Sequence, residues 1–184
     1  DLVAKYKKDD YLLKLVVSKI TENITKDFSV TSLANKIKAL IKTSVPTITD
    51  YFNILPEPFL TSNIYAFRSS VVQRESKRKT YLADNSFIFL NRITPDKSRL
   101  MENLTFNYLL RKHQEIFYYK TTNNKEVDFF IPEQEKKRAI QVCYSLENEE
   151  TRKREISSLL KAMEEQNLQE GYIYTYNHSE KIEI

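Results

Sequence analysis

The period of apolar positions changes several times along this chain, and each change marks an element. Leu12, Leu13, Val16, Val17 and Ile20 recur at helical spacing, which predicts an amphipathic helix from about Asp9 to Glu22. Leu33, Ile37 and Leu40 predict a second helix, with Ser29 or Thr31 as its cap. Ser44 can cap a third, which tolerates Pro46 in its first turn, runs through Ile48, Tyr51 and Phe52 to Leu55, and stops at Pro56 and Pro58. A strand from Phe59 to Phe67, a basic segment and a second strand from Thr80 to Asp84 then form a hairpin. Pro95 and Asp96 interrupt the pattern inside a linker, Asn85 to Ser98. Arg99 to Lys112 predicts a fourth helix with Leu100, Leu104 and Tyr108 on one side and Glu102 on an adjoining one. Strands follow at Glu115 to Lys120, Glu126 to Ile131 and Arg138 to Tyr144, the first two joined by a turn at Asn123 and Asn124. Glu147 to Gln166 carries the stripe Ile156, Leu159, Leu160 and Met163, and Tyr172 to Tyr176 is the last strand.

This order predicts an α/β chain, α+β overall, in two domains. Residues 1–90 have the order of a winged helix, three helices and then a hairpin with a basic tip; there the third helix enters a DNA groove and the hairpin touches the backbone. The exposed side chains of that third helix, Thr47, Thr49, Asp50 and Asn53, carry no cation, so an interface role is at least as natural as base reading. Residues 98–184 form a small α/β domain with a crossover between its last two strands.

Two neighbouring strands of the second domain carry the candidate chemistry. Alternation sends Val127, Phe129 and Ile131 one way and Glu126 and Asp128 the other, while Ile140, Val142 and Tyr144 leave Gln141, Cys143 and Ser145 opposite. Asp128 and Gln141 can therefore converge. Many metal-dependent nucleases place a carboxylate on one strand and an acid-x-lysine tripeptide on the next, holding a divalent cation and an ammonium against a phosphodiester. Here the tripeptide is Gln141-Val142-Cys143, without its carboxylate and its lysine.

Composition narrows the field by exclusion. One glycine, Gly171, cannot furnish either of the glycine-rich loops that cradle nucleotide phosphates. One cysteine and two histidines exclude internal disulfides and zinc clusters and suit a reducing cytoplasm. No stretch of about 18 apolar residues suggests a membrane span. The net charge is +4, and the segment from Arg68 to Thr80, with Arg68, Arg74, Lys77, Arg78 and Lys79 against Glu75, nets as much by itself. Such a cluster is either a solvated hairpin tip or a phosphate-backbone contact. The chain starts at Asp1 rather than Met, so an ATP site is expected, if anywhere, in a preceding part.

Leu100-Met101-Glu102-Asn103-Leu104, Tyr118-Tyr119-Lys120-Thr121, Lys125-Glu126-Val127-Asp128-Phe129 and Thr151-Arg152-Lys153-Arg154-Glu155-Ile156 resemble the C-terminal half of prokaryotic AAA-type P-loop ATPases that carry a nuclease-like domain. Ser44-Val45-Pro46-Thr47-Ile48-Thr49-Asp50-Tyr51 and Lys79-Thr80-Tyr81-Leu82-Ala83-Asp84 are similar to the winged-helix stretch of those proteins. The resemblance implies a PD-(D/E)xK nuclease fold for residues 98–184. By position it makes Glu102 the helix acid and Asp128 the strand acid, and it puts Gln141 and Cys143 in the acid and lysine places of a degenerate catalytic site. Glu102, Asp128 and the Gln141 carbonyl would then be the ligand set for Mg²⁺. A thiol, neutral or anionic near neutral pH, cannot do the work of the ammonium, although Lys120 or Lys125 could reach in.

The expected function is a nucleic-acid-binding, catalytically impaired nuclease-like module of an ATP-binding protein, with DNA and its own ATPase domain as partners. An active Mg²⁺-dependent DNA endonuclease and a protein-interaction scaffold without nucleic acid are the alternatives. The single Cys143 reads as a small buried side chain, since His113 and His178 stand in no sequence relation to it. Tyr118 and Tyr119 are candidates for base stacking or for packing.

Overall fold

The computed structural model describes residues 2–57, 60–67, 77–91, 96–133 and 137–177, the side chains at 2, 3, 90 and 91 aside. Arg68, Arg74 and His178 lie outside the described residues. The fold is mixed α/β with two sheets. The chain divides into two compact units, one of residues 1–63 with 76–95 and one of residues 64–75 with 96–184.

The first unit comprises helices α1 (Leu2–Tyr6), α2 (Asp10–Glu22), α3 (Val30–Lys38) and α4 (Val45–Ile54), with strands β1 (Asp27–Phe28) and β3 (Arg78–Leu82) and the start of β2 (Thr61–Tyr65), whose last two residues count with the second unit; the sheet order is β1-β3-β2. Asp9, Ser29 and Ser44 each cap a helix by accepting a main-chain N–H through the side chain, a contact worth about 1 kcal/mol. The cap of α3 is thus Ser29, not Thr31. Val16, Ile20, Leu33, Ile37 and Ile48 are fully buried, as their spacing predicts. Leu40 lies beyond the end of α3 and is exposed. The short strand β1 pairs antiparallel with β3, Asp27 opposite Lys79 and Phe28 opposite Arg78. A 3₁₀ helix, Asn85–Asn91, occupies part of the expected linker.

The second unit begins before the linker. Past Tyr65, the Phe67 N–H donates to the Tyr118 carbonyl at 2.8 Å, and the Phe67 ring sits 5.5 Å from Phe117 and 4.5 Å from Phe130. These contacts place the end of the expected strand Phe59 to Phe67 with the second sheet. That sheet has the order β4-β5-β6-β7, from β4 (Phe117–Lys120), β5 (Glu126–Ile131), β6 (Arg138–Val142) and β7 (Gly171–Tyr174). The first three are antiparallel, and β7 joins β6 in parallel. Asn124 takes φ 60° in the β4–β5 turn, a left-handed conformation that asparagine tolerates.

Helices α5 (Lys97–Leu110) and α6 (Glu149–Gln166) flank β5. Phe106 of α5 stacks toward Phe129 at 6.3 Å, whereas Phe130 belongs to a cluster with Leu159, Ala162 and Met163 of α6. Adjacent strand residues face opposite ways, so the two helices cover opposite faces and every residue from Val127 to Ile131 is buried. A register shift against β4 between Phe117 and Tyr119 lets both Val127 and Phe130 join the α6-side cluster, which strict alternation forbids.

The lone glycine has a packing reason. A Cβ at Gly171 would stand 2.7 Å from Met163 Sδ and 2.9 Å from Leu159 Cγ, so only a residue without a side chain lets β7 approach α6. At the far end of α6, Glu165 accepts hydrogen bonds from Thr122 N–H (3.0 Å), Thr122 Oγ1 (2.5 Å) and Tyr119 Oη (2.8 Å), fastening the helix to the β4–β5 turn.

Candidate functional site

Asp128 and Gln141 meet where the β5–β6 ladder stops using main-chain pairs, one step beyond Phe129 and Ile140. Gln141 Oε1 accepts the main-chain N–H of Asp128 at 3.3 Å, and Asp128 Oδ2 accepts the main-chain N–H of Val142 at 2.9 Å. Each side chain thus supplies an acceptor that the opposite backbone lacks. Both are buried.

The network continues onto α6. Gln141 Nε2 donates to Glu155 Oε2 at 2.5 Å, and Glu155 Oε1 accepts from Arg154 Nε at 3.1 Å and Nη2 at 2.6 Å. The Glu155 side chain is 8% exposed while that of Arg154 is 69% exposed, so the guanidinium closes the outer end of a buried polar chain. The Glu155 carboxylate holds the Arg154 guanidinium even above its ordinary range, first through these hydrogen bonds and then through its charge.

Cys143 lies beside this chain. Its main-chain N–H donates to the Tyr174 carbonyl at 2.9 Å and its thiol to the Ser145 carbonyl at 3.0 Å. Burial pushes the thiol above its ordinary value, and the Glu155 and Asp128 carboxylates add to that shift. The group is a neutral thiol near neutral pH, unable to act as an ammonium or as a ready nucleophile. The two substitute lysines are turned to other partners: Lys125 Nζ donates to Ser157 Oγ at 2.7 Å, and Lys120 Nζ lies 3.6 Å from Glu126 Oε2.

Glu102 is buried on α5, one turn before Phe106. Among the described residues no three His, Cys, Asp or Glu side chains are grouped so that they could hold a metal ion. The donors near Gln141 do not fit Mg²⁺, which demands a near-octahedral set of oxygens. The Gln141 carbonyl oxygen and one Asp128 oxygen already bond to main-chain N–H groups, and the Gln141 amide and Arg154 bond to Glu155.

Sequence patterning pointed to Asp128, Gln141 and Cys143, which the fold does bring to one place, but assigned no role to Glu155 or Arg154. The available signal was the Arg154-Glu155 pair inside a segment already singled out, with Glu155 one turn before Leu159 on the buried face. Tyr118 and Tyr119 are both buried and serve packing.

The basic segment departs from expectation at one residue. Lys77 is exposed, 3.7 Å from Asp27, and Arg78 is half-buried. Lys79 is 1% exposed, so its side chain is withdrawn from the surface that a nucleic-acid backbone would touch. The cause is its position in β3, where Lys79 through Leu82 are all buried.

Residues 97–184, nearly the whole of the second unit from the start of α5, match the family model described as a domain of unknown function, DUF4143. In an alignment of 169 positions that covers 86% of its length, the chain is 32% identical to uncharacterized protein MJ1544 of Methanocaldococcus jannaschii. The chain spans 37% of the length of that curated relative. No solved structure matches the chain. Among the described residues no helix is long and apolar enough to cross a membrane.

Proposed function

We propose that this chain is the nucleic-acid-binding, nuclease-like C-terminal module of a longer ATPase-containing protein, and that its own sheet does not hydrolyse phosphodiesters. The observation that carries the reading is Gln141 bridging Asp128 and Glu155. The strand geometry suits a nuclease, but the middle carboxylate is replaced by an amide whose two ends are both committed. Hydrolysis through a divalent cation needs open oxygen ligands and a cation near the developing charge, and here the cationic group, Arg154, is bound to Glu155.

Three observations support the larger context. From α2 onward the first unit runs helix, strand, helix, helix, strand, strand, with the first strand paired to the last, an order that suits a winged helix. The relative it resembles is much longer than this chain, which leaves room for an ATPase module. Lys77 and Arg78 belong to the segment from Arg68 to Thr80 that nets +4 by itself.

Titrating labelled duplex DNA with purified protein at several salt concentrations tests the binding half of the proposal. Affinity is expected to fall linearly with salt on logarithmic axes, by about 0.9 per phosphate contact. Absence of binding to duplex and to single strands alike at low salt would replace this reading with the protein scaffold.

A further inference from the structure

Helix α5 is inside out. Its buried face carries Glu102, Asn103 and Thr105 beside Phe106 and Leu109, while Leu104 is 63% exposed and Tyr108 49% exposed. A helix that buries polar groups and shows apolar ones has a second surface to satisfy. On that exposed side stand Lys97 and Lys112, and the one acid within the helix, Glu102, is buried. Asp96, just before the helix, is exposed and uses its carboxylate as the cap, accepting the Ser98 N–H at 2.9 Å.

Each end of this face has a tyrosine with an ammonium against it. Lys112 Nζ lies 4.4 Å from the Tyr108 ring centre and donates to its hydroxyl at 2.6 Å. Lys97 Nζ lies 5.0 Å from the Tyr144 ring centre, and Tyr144 stacks nearly parallel on Tyr176, 5.0 Å apart at 12°. Tyr176 is 71% exposed, which leaves a flat aromatic surface open to solvent. Between Lys97 and Tyr108 the helix rises about 16 Å.

We propose that this strip of the second unit binds single-stranded nucleic acid, with bases stacking on Tyr176 and Tyr108 and phosphates meeting Lys97 and Lys112. It deepens the nucleic-acid reading above and rests on it. The complementarity is of two kinds: fixed ring planes suit bases of any sequence, and a cationic face without an exposed helix carboxylate suits the phosphates. Duplex DNA, whose bases are stacked on each other, cannot use the rings.

The test is binding of a labelled oligothymidylate of about twelve nucleotides and of a duplex of equal length, followed by anisotropy and by tyrosine emission, which no tryptophan obscures. Tyr108→Ala and Tyr176→Ala are each expected to weaken the single-strand complex roughly tenfold. Phenylalanine at either position should restore it, and bound oligonucleotide should quench emission less in the alanine variants. Single-strand affinity unchanged in both alanine variants, with duplex binding lost in Lys77→Ala/Arg78→Ala, overturns the strip and leaves the nucleic-acid reading standing. Failure of wild type to bind either probe at low salt overturns both. Displacement of the oligonucleotide by polyglutamate of matched charge with equal effect shows an acidic-peptide surface instead.

Discussion

The side-chain amide of Gln141 donates to the Glu155 carboxylate at 2.5 Å, joining the third strand of the second sheet to the helix that crosses over it. A glutamate at position 141, the residue that a nuclease tripeptide would have, could make this bond only as the protonated acid. Ionised, it would set a third carboxylate beside Asp128 and Glu155.

Gln141→Glu is therefore expected to cost roughly 2–4 kcal/mol of stability, from a lost charged hydrogen bond and an uncompensated buried charge. The exchange Gln141→Glu with Glu155→Gln restores a donor facing an acceptor and should recover about 1–3 kcal/mol of that loss. Urea denaturation of the wild type, both single variants and the exchange measures the coupling. Additive effects would mean that the two side chains do not depend on each other.

Lys79 and its neighbours should separate by assay. Lys79→Ala is expected to destabilise the fold by about 1–3 kcal/mol, because it removes a buried stem and the charge at its end. Lys77→Ala/Arg78→Ala should lower the melting temperature less than Lys79→Ala does and lower the salt slope of duplex binding by up to about 0.9 for each lost contact. Thermal melts and salt titrations of the two variants distinguish the roles.

How far the sequence could be read follows from where each element's surroundings came from. The strand Glu126–Ile131 has the bounds its pattern predicts. Its burial could not be read by alternation, because helices cover both faces and a register shift brings Val127 and Phe130 into one cluster. The two residues of β1 are too few to show a period. Glu155 was hidden by the expected stripe of Ile156, Leu159, Leu160 and Met163. The buried face is rotated by about one position, to Glu155, Ser158, Leu159, Ala162 and Met163, and a buried glutamate is visible only when its partner on another element is known. Leu104 and Tyr108 were grouped by helical spacing, but spacing does not say that their side is the exposed one.

The acid limb of stability should depend on Glu165. Burial works to raise its carboxyl, yet the hydrogen bonds from Thr122 and Tyr119 and the Lys161 ammonium outweigh it and hold the group below the ordinary carboxylate range. A depressed folded-state value contributes stability that is complete above the unfolded value and is lost as pH falls through the folded one. Glu165→Gln should therefore flatten the decline in melting temperature on acidification, while lowering the melting temperature at neutral pH. An unchanged acid profile would remove Glu165 from this role.

Gly171→Ala places a methyl within 2.7 Å of Met163 Sδ and 2.9 Å of Leu159 Cγ. Overpacking of this kind costs about 1–3 kcal/mol. Met163→Ala in the same chain should relieve part of the strain, so the double variant is expected to be more stable than the sum of its parts, as read from denaturation midpoints.

Incubating purified protein with Mg²⁺ or Mn²⁺ and linear, branched or single-stranded DNA tests the non-hydrolytic reading most directly. All three substrates are expected to stay intact, because Gln141 and Arg154 occupy the donors that a cation and a transition state would need. Cleavage that requires the metal, and that disappears in an Asp128→Asn variant shown by circular dichroism to be folded, would contradict it and make the chain an endonuclease.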